Sequence, residues 1–254
     1  MLRCTGLGLS APGRVLCRGV NVDFAAGEAW AVLGRNGTGK STLIHALAGL
    51  SAPSEGVVEL DGVPIRTRAA RLRARSLGVL LQMEAGMYWG SAADYVLLGR
   101  FPHASPWAGY TAEDIAAAAA ALDAVGMSTF SAQKFDSLSG GERQRARIAQ
   151  ILAQAPSILL LDEPLQHLDL AHQAQVLTLI RERVRTRSET AVMVLHEPLW
   201  IGRCCTHALI FDGEGSVTAG PADEVLTRER LESAYGCALR EVGHPGERSF
   251  VPDV

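Results

Sequence analysis

Long apolar runs are absent from this chain of 254 residues, and no segment approaches the ~18 consecutive apolar residues of a membrane-spanning helix. The N-terminal residues also lack the apolar core of a secretory signal, so we expect the protein to reach a membrane only through a protein partner. Excess positive charge is missing as well, because the formal net charge is −3, which gives no general attraction to nucleic acid. With 48% hydrophobic residues, the chain is expected to be globular, with one large domain or a core domain and a subdomain.

Cysteine is also sparse and irregularly spaced. The chain has five, scattered apart from the adjacent pair Cys204 and Cys205, and five cannot all pair within one chain. We therefore predict reduced thiols, which are typical of a cytosolic protein. A metal site formed by this pair and His207 is the alternative, and it is disfavoured because adjacent cysteines lack the usual C-x-x-C spacing.

Residues 34–41 fit the phosphate-binding pattern G-x-x-x-x-G-K-[ST], between an apolar run at 29–33 and a helix-compatible segment at 42–48. Strand, glycine loop and helix turn backbone N–H groups towards a polyphosphate, because glycine has no Cβ to block the approach. Lys40 is predicted to reach the β- and γ-phosphates and Ser41 to bind Mg²⁺; a chance glycine-rich turn is the alternative. The predicted nucleotide-binding residues here are Gly34, Arg35, Asn36, Gly37, Thr38, Gly39, Lys40, Ser41 and Thr42.

A second signal is an apolar stretch at 158–161 that is followed by two acids, Asp162 and Glu163. Such a run favours a strand covered on both faces of a parallel sheet, and α/β proteins place ligand chemistry at the carboxyl ends of these strands. We predict that Asp162 holds Mg²⁺ and that Glu163 orients or deprotonates an attacking water. The alternative is a pair of helix-start acids that favour the helix dipole.

A third signal lies at 138–142, where Ser139 and Glu142 have the S-x-x-E spacing of a capping box ahead of a helix predicted at about 143–153. Gly140 and Gly141 would leave free N–H groups at this helix start, which can bind an anion. On spacing alone this is an ordinary helix cap.

In this order the three motifs resemble those of the ATPase subunit of ABC transporters, with Walker A at 34–41, the signature at 138–142 and Walker B at 158–162. The resemblance implies that the chain binds ATP and Mg²⁺ and hydrolyses ATP. It gives catalytic roles to Glu163, to Gln82 of the Q-loop and to the switch histidine His196, and it adds Gln82 to Ser41 and Asp162 at the metal. It also implies nucleotide contacts from Ser139, Gly140, Gly141, Glu142 and the D-loop residue Asp169.

The resemblance further implies an α/β fold, a P-loop NTPase of ABC type, in one domain of residues 1–254. We expect a mixed central sheet, an antiparallel β-subdomain and a helical subdomain inserted at about 83–135. The implied assembly is a head-to-tail homodimer with ATP between Lys40 of one protomer and Ser139 of the other. The implied partners are integral membrane permease subunits at the cytoplasmic face of the inner membrane and, indirectly, a periplasmic or extracellular substrate-binding protein, with no nucleic acid.

Softer patterns at 99–103, 168–173 and 224–236 resemble ATPases of importers for ferric siderophores, haem and cobalamin, and the C-terminal pattern favours cobalamin. Segment 83–89 combines two methionines with two aromatics, which are enriched at interfaces. We predict that it forms, with the helical insert, a groove for a cytoplasmic permease helix; a buried loop is the alternative. The competing functions are an ATPase not coupled to transport, an exporter ATPase and a non-hydrolysing sensor, the last opposed by Glu163 and His196.

Several positions depart from the family pattern. The aromatic that usually stacks on adenine is missing near 10–14, so we expect either Arg14 to lie on the base or stacking to be weak. The D-loop has Gln166 and His167 where small residues are commoner, and Glu197 and Pro198 follow the switch histidine.

Other segments give local predictions. Five arginines between 66 and 75 favour a solvated helix face over a nucleic-acid groove, given the net charge and the absence of interleaved aromatics. Alanine content predicts a helix within 112–125. Segments 208–211 and 216–219 predict a hairpin, and 224–235 predicts one amphipathic helix.

Overall fold

The computed structural model describes residues 1–82, 88–105, 107–196, 200–243 and 249–253. Neighbouring strands of its central sheet run parallel except at one edge, where the last strand is antiparallel. The sheet is therefore mixed, as predicted. In spatial order its strands are β10 (Val217–Pro221), β9 (His207–Phe211), β3 (Ala29–Leu33), β8 (Thr190–Val194), β7 (Ile158–Asp162) and β6 (Leu77–Leu80).

Both faces of this sheet are covered. Every residue of β3, β7 and β8 is buried, which confirms the prediction made for the apolar run at 158–161. Along β3, Ala29 and Ala31 face a core shared with the helices, whereas Trp30 and Val32 face a second core beneath the antiparallel sheet. This alternation follows from the two-residue repeat of a strand and needs apolar side chains at every position.

The predicted antiparallel β-subdomain is also present. Its strands, in the order β2-β1-β4-β5, are β2 (Arg14–Phe24), β1 (Leu2–Ala11), β4 (Glu55–Leu60) and β5 (Val63–Pro64). The turn between β4 and β5 has Asp61 and Gly62 at positive φ (52° and 72°), which suits these residue types. Helix α1 (Lys40–Leu47) lies between the two sheets, and Leu43 and Ile44 contribute to the core there.

Helices dominate the described residues between Gln82 and the signature. Helices α3 (Ala92–Leu97) and α4 (Ala112–Ala124) pack on each other and on α5 (Gly140–Gln154), as expected of a helical insert. Helix α5 begins at Gly140, earlier than the predicted 143. The chain after α3 approaches α5 so closely that a Cβ on Gly99 would lie 2.0 Å from the Gln150 carbonyl oxygen. Helix α6 (Leu170–Arg187) follows β7.

The structure agrees with the predicted solvated arginine face, because Arg66, Arg71 and Arg75 are exposed, but some of these side chains also bind backbone carbonyls. Helix α2 (Ala70–Ser76) carries Arg71 and Arg75, whose Nε atoms both donate to the Pro102 carbonyl oxygen, at 3.1 and 3.0 Å. Arg71 also donates to the carbonyl oxygen of Ala104 through Nη2. Because each guanidinium group carries several donors, these two arginines of α2 can hold backbone carbonyls of the helical insert.

The C-terminal part contains one confirmed and one incorrect prediction. Strands β9 and β10 form the predicted antiparallel hairpin. The single helix predicted at 224–235 is instead two short helices, α8 (Ala222–Val225) and α9 (Arg228–Tyr235), because the Thr227 hydroxyl accepts from the backbone N–H of Arg230 and starts a new helix. The remaining elements are α7 (Ile201–Cys204), β11 (Leu239–Val242) and β12 (Ser249–Pro252). Across the described ranges, no helix has the length and hydropathy needed to traverse a membrane.

Candidate functional site

The predicted site residues meet at the carboxyl ends of the parallel strands. Residues 34–41 follow β3, Gln82 lies two residues after β6, Glu163 follows β7, and His196 lies two residues after β8. An open cavity of about 640 Å³ occupies this edge of the sheet, which is large enough for a nucleotide. Its lining residues are Ala11, Leu16, Asn36, Gly37, Gly39, Lys40, Ser41, Thr42, Gln82, Glu163, Gln166 and His196.

The phosphate loop depends on glycine at defined points. A Cβ on Gly34 (φ 135°) would lie 2.9 Å from the Phe211 carbonyl oxygen, and one on Gly39 (φ 115°) would lie 3.0 Å from the Leu16 Cβ. Lys40 Nζ donates to the carbonyl oxygens of Gly34 and Arg35, at 2.7 and 2.9 Å, and so holds the loop in a ring. Burial lowers the pKa of Lys40, while the carboxylates of Glu163 and Asp162 oppose this.

Asp162 is a buried acid at the end of β7. It is 1% exposed, and neither carboxylate oxygen has a hydrogen-bond partner of acceptable geometry. Burial raises the pKa of Asp162, and the nearby Ser41 hydroxyl opposes this only in part. A buried carboxylate in this state fits a cation that supplies the missing positive charge, and Mg²⁺ prefers oxygen ligands such as those of Asp162, Ser41 and Gln82.

The alternative metal site at Cys204, Cys205 and His207 has no support. No cluster of three or more His, Cys, Asp or Glu suited to a metal occurs within the described part of the chain. The His207 ring stacks on Trp30 with centroids 4.6 Å apart instead. The five cysteines are free thiols, as predicted.

Glu163 and His196 form a direct pair, with Nε2 2.7 Å from Oε1. The Glu163 side chain is 14% exposed and that of His196 is 40% exposed, so the pair closes one side of the cavity. Glu163 has φ 53°, a left-handed conformation that costs a non-glycine residue about 1–2 kcal/mol. Strain of this kind persists only where surrounding contacts impose it, and it is frequent at active sites.

The signature residues form the predicted capping box but lie outside the Lys40 cavity. The Ser139 backbone N–H donates to Glu142 Oε2 (2.8 Å), and the Glu142 backbone N–H donates to Ser139 Oγ (3.3 Å). The first of these bonds is the main reason that the pKa of Glu142 is lowered. Gly140 lines a different cavity, together with Gln82 and His167. Ser139 and Gly140 therefore do not line the same cavity as Lys40.

The D-loop lies on the signature helix. Asp169 caps α6, because its Oδ1 accepts from the His172 backbone N–H (2.9 Å) and lies 2.8 Å from His172 Nδ1. The backbone bond is the main cause of the lowered pKa of Asp169. A Cβ on Gly141 would lie 2.9 Å from the His167 carbonyl oxygen, and His167 has φ 65°. Asp169 itself does not line the Lys40 cavity.

Arg14, one candidate for the base contact, has a backbone partner in the structure. Its Nη2 donates to the Gly213 carbonyl oxygen at 3.1 Å, and it does not line the cavity. The apolar wall beside the phosphate loop is instead formed by Ala11 and Leu16. The departures at Glu197 and Pro198, and most of the predicted permease segment (83–87), lie outside the described residues.

Comparison with known proteins agrees with this geometry. The family model described as ABC transporter matches residues 17–166. The chain is 39% identical to the hemin import ATP-binding protein HmuV of Burkholderia thailandensis, over 95% of both chains, and 37% identical to the ferric enterobactin transport ATP-binding protein FepC of Escherichia coli, over 89% of this chain and 83% of FepC.

Solved structures give the same result. An ABC transporter described provisionally as metal-chelate type, in an inward-facing conformation, is 29% identical and superposes with a TM-score of 0.85 over 100% of this chain and 97% of its own. The dimeric ATP-binding cassette MJ0796 with ADP and Pi has a TM-score of 0.77 at 24% identity, over 87% of this chain and 98% of its own, which supports the fold alone. The chain belongs to the ABC transporter family and is an ATP hydrolase of that family.

Proposed function

We propose that this chain is the ATP-hydrolysing subunit of an importer for an iron chelate, either haem or a ferric siderophore, and that residues 1–254 act as one ATPase domain. The observation that carries the proposal is that Lys40, Ser41 and the Glu163–His196 pair line one cavity, with the buried Asp162 next to Glu163 in the chain. The names of HmuV and FepC support the cargo class and favour an iron chelate over the cobalamin that the C-terminal pattern favours.

In this proposal each side chain has a defined task. Lys40 and the N–H groups of the loop bind the phosphates, and Ser41, Asp162 and Gln82 would hold Mg²⁺, which when bound offsets phosphoryl charge. Glu163 accepts the proton of the attacking water, and His196 keeps the carboxylate directed into the cavity through the 2.7 Å contact.

Replacement of Glu163 tests this assignment. We expect Glu163→Gln to lose about 100- to 10,000-fold of kcat, the range for general acid–base groups, while ATP affinity is kept. Glu182→Gln, an exposed site on α6, is the control and should behave as wild type. Near-normal turnover of Glu163→Gln in a steady-state assay would contradict the assignment.

We further propose a head-to-tail homodimer. Neither Ser139 nor Gly140 lines the Lys40 cavity, and Gly140 lines a neighbouring cavity that shares Gln82 and Gln166 with it. In this proposal a second copy supplies the signature residues to each site.

The permease surface is proposed to lie on the helical insert. An apolar groove of about 460 Å³ runs between α3 and α4, where Ile115 is 57% exposed, and Trp89, just before α3, is 74% exposed. Tyr88 instead packs edge-on against Tyr95 and Phe135, as in the buried alternative. Binding there would hold the subunit at the cytoplasmic face of the inner membrane, with a substrate-binding protein acting indirectly.

Trp89 provides a test that leaves the core intact. Trp89→Ala should keep basal ATPase activity but reduce cargo-stimulated activity by about 10-fold or more, because central aromatic anchors contribute about 2 kcal/mol or more to interfaces. Trp107→Ala, at a tryptophan 97% exposed, is the matched control. Normal stimulation of Trp89→Ala would place the groove elsewhere.

A strain that lacks this gene tests the cargo. It should fail to grow on limiting haem or ferric siderophore, and failure to grow on limiting cobalamin alone would overturn the iron-chelate proposal.

A further inference from the structure

Behind the Glu163–His196 pair, two side chains of α5 join the backbone at Glu163 to the end of β6. Gln144 Nε2 donates to the carbonyl oxygens of Glu163 (3.3 Å) and Pro164 (3.0 Å). Gln144 Oε1 accepts from Arg147 Nη1 at 2.9 Å. Arg147 Nη2 in turn donates to the carbonyl oxygen of Leu81, the residue before Gln82.

The direction of the Gln144 amide is determined by its partners. The two carbonyl oxygens only accept and the Arg147 guanidinium only donates, so a flipped amide would set oxygen against oxygen and N–H against N–H. Both side chains are buried, Gln144 to 3% and Arg147 to 9% exposure. Water therefore does not easily replace a hydrogen bond that is lost here.

These bonds act where the backbone needs support. Glu163 has φ 53°, outside the favoured regions of a non-glycine residue, so its conformation depends on contacts from its surroundings. The carbonyl groups of Glu163 and Pro164 fix the two peptide planes that follow the Glu163 Cα. Their orientation sets where the carboxylate points and hence its 2.7 Å contact with His196.

We propose that Gln144 is a positioning residue for Glu163, and that Arg147 links Gln144 to the Q-loop, so that one pair of α5 side chains sets the backbone at both Gln82 and Glu163. The same helix begins at the signature residue Gly140, so the bridge ties three parts of the site to one rigid element. The inference rests on the proposed role of Glu163 in activating water.

The test compares four single variants in the full-length chain. Gln144→Leu removes the bonds to Glu163, Pro164 and Arg147 and leaves only Arg147 bound to Leu81. Gln144→Glu keeps an acceptor for Arg147 but loses the donors to Glu163 and Pro164. Both should lose about 10- to 100-fold of kcat, the scale expected for a misplaced reacting group, while the Kd for ATP changes less than about twofold. Arg147→Met should lose less, about 3- to 10-fold, because Gln144 still holds the Glu163 loop.

Arg145→Met is the matched control. Arg145 lies on the same helix, is 8% exposed, and donates to backbone carbonyls as Arg147 does, but to Val125 and Gly126 in the helical insert. It should keep kcat within about twofold even if its melting temperature falls as far as that of Arg147→Met. A double-mutant cycle adds a second criterion: Gln144→Leu with Arg147→Met should be no slower than Gln144→Leu alone, because both changes break one bridge.

The outcomes separate the two proposals. If Glu163→Gln is inactive while Gln144→Leu and Gln144→Glu keep kcat within twofold of wild type, the positioning role is wrong and the catalytic assignment stands. An equal loss of kcat in Arg145→Met, or additive losses in the double variant, would also overturn it. If Glu163→Gln itself turns over normally, the catalytic assignment fails and the inference fails with it.

Discussion

Asp162 offers a prediction in which stability and function change in opposite directions. Its carboxylate is 1% exposed, neither oxygen has a hydrogen-bond partner of acceptable geometry, and Ser41, His45 and Lys40 offset only part of the cost of burying its charge. A buried unsatisfied polar group costs about 1–3 kcal/mol, and more when charged. Asp162→Asn removes the charge at nearly constant shape and should therefore stabilise the nucleotide-free protein by about 1–3 kcal/mol.

For a chain of this size, 1 kcal/mol corresponds to roughly 2–4 °C in melting temperature, so Asp162→Asn should melt about 2–12 °C higher than wild type without nucleotide. Ligand should reverse the order. Wild type at Mg·ATP about 100-fold above Kd gains about 2.7 kcal/mol, whereas the variant lacks the carboxylate for Mg²⁺ and should gain much less. Thermal melts with EDTA, with Mg²⁺ and with Mg²⁺ plus a non-hydrolysable nucleotide measure the stability of the nucleotide-free protein and the stability gained on binding.

The pH dependence has a defined sign. Because burial raises the pKa of Asp162 above its ordinary value of 3.8, the folded protein binds this proton more tightly than the unfolded chain. The penalty is therefore absent below pH 3.8 and grows as pH rises through the folded pKa. Asp162→Asn should remove this fall in stability with rising pH.

Asp114 is the control of opposite sign. The Thr111 backbone N–H and then Arg100, 2.8 Å away, lower the pKa of Asp114 to about 2. Its contribution is present above pH 3.8 and lost as pH falls towards 2, so Asp114→Asn should destabilise the protein at neutral pH. A melting temperature of Asp162→Asn equal to or below that of wild type would refute the claim of an incompletely compensated charge, and an undiminished Mg·nucleotide shift would refute the cation site.

Two further predictions concern packing and the base. Gly99→Ala should lower the melting temperature more than Gly13→Ala, because a Cβ at Gly99 would meet the Gln150 carbonyl oxygen at 2.0 Å. A Cβ at Gly13 meets no atom within 4 Å, so only the positive φ of Gly13 opposes the change. Equal falls in melting temperature would contradict the close approach of the chain at Gly99 to α5. Ala11→Tyr should tighten ATP binding by about 1–3 kcal/mol, the range for base stacking on an aromatic, and Arg14→Ala should change it less than about twofold because that guanidinium binds Gly213. Fluorescence titration with ATP and GTP checks both, and a large loss in Arg14→Ala would restore Arg14 as the base contact.

The sequence by itself determined the local chemistry of the site. The phosphate loop, the Ser139–Glu142 capping box and the apolar strand that ends in Asp162 each depend on a few consecutive residues whose type fixes backbone geometry. Glycine permits positive φ, a hydroxyl or carboxylate caps a helix, and an apolar run fills a doubly covered strand. The mixed sheet was implied by the family resemblance; its parallel part fits strands that are separated by helices, and the β9–β10 hairpin supplies its antiparallel edge.

The tertiary structure decided which side chains meet distant backbone. Arg71 binds the chain at Pro102, Arg147 binds Leu81, and Arg14 binds Gly213. The acceptor in each case is a backbone carbonyl, which every residue carries, so no residue type in the sequence marks it as the partner. The separation of Ser139 from Lys40 within one chain is of the same kind, because it depends on how α5 crosses the sheet and not on either motif.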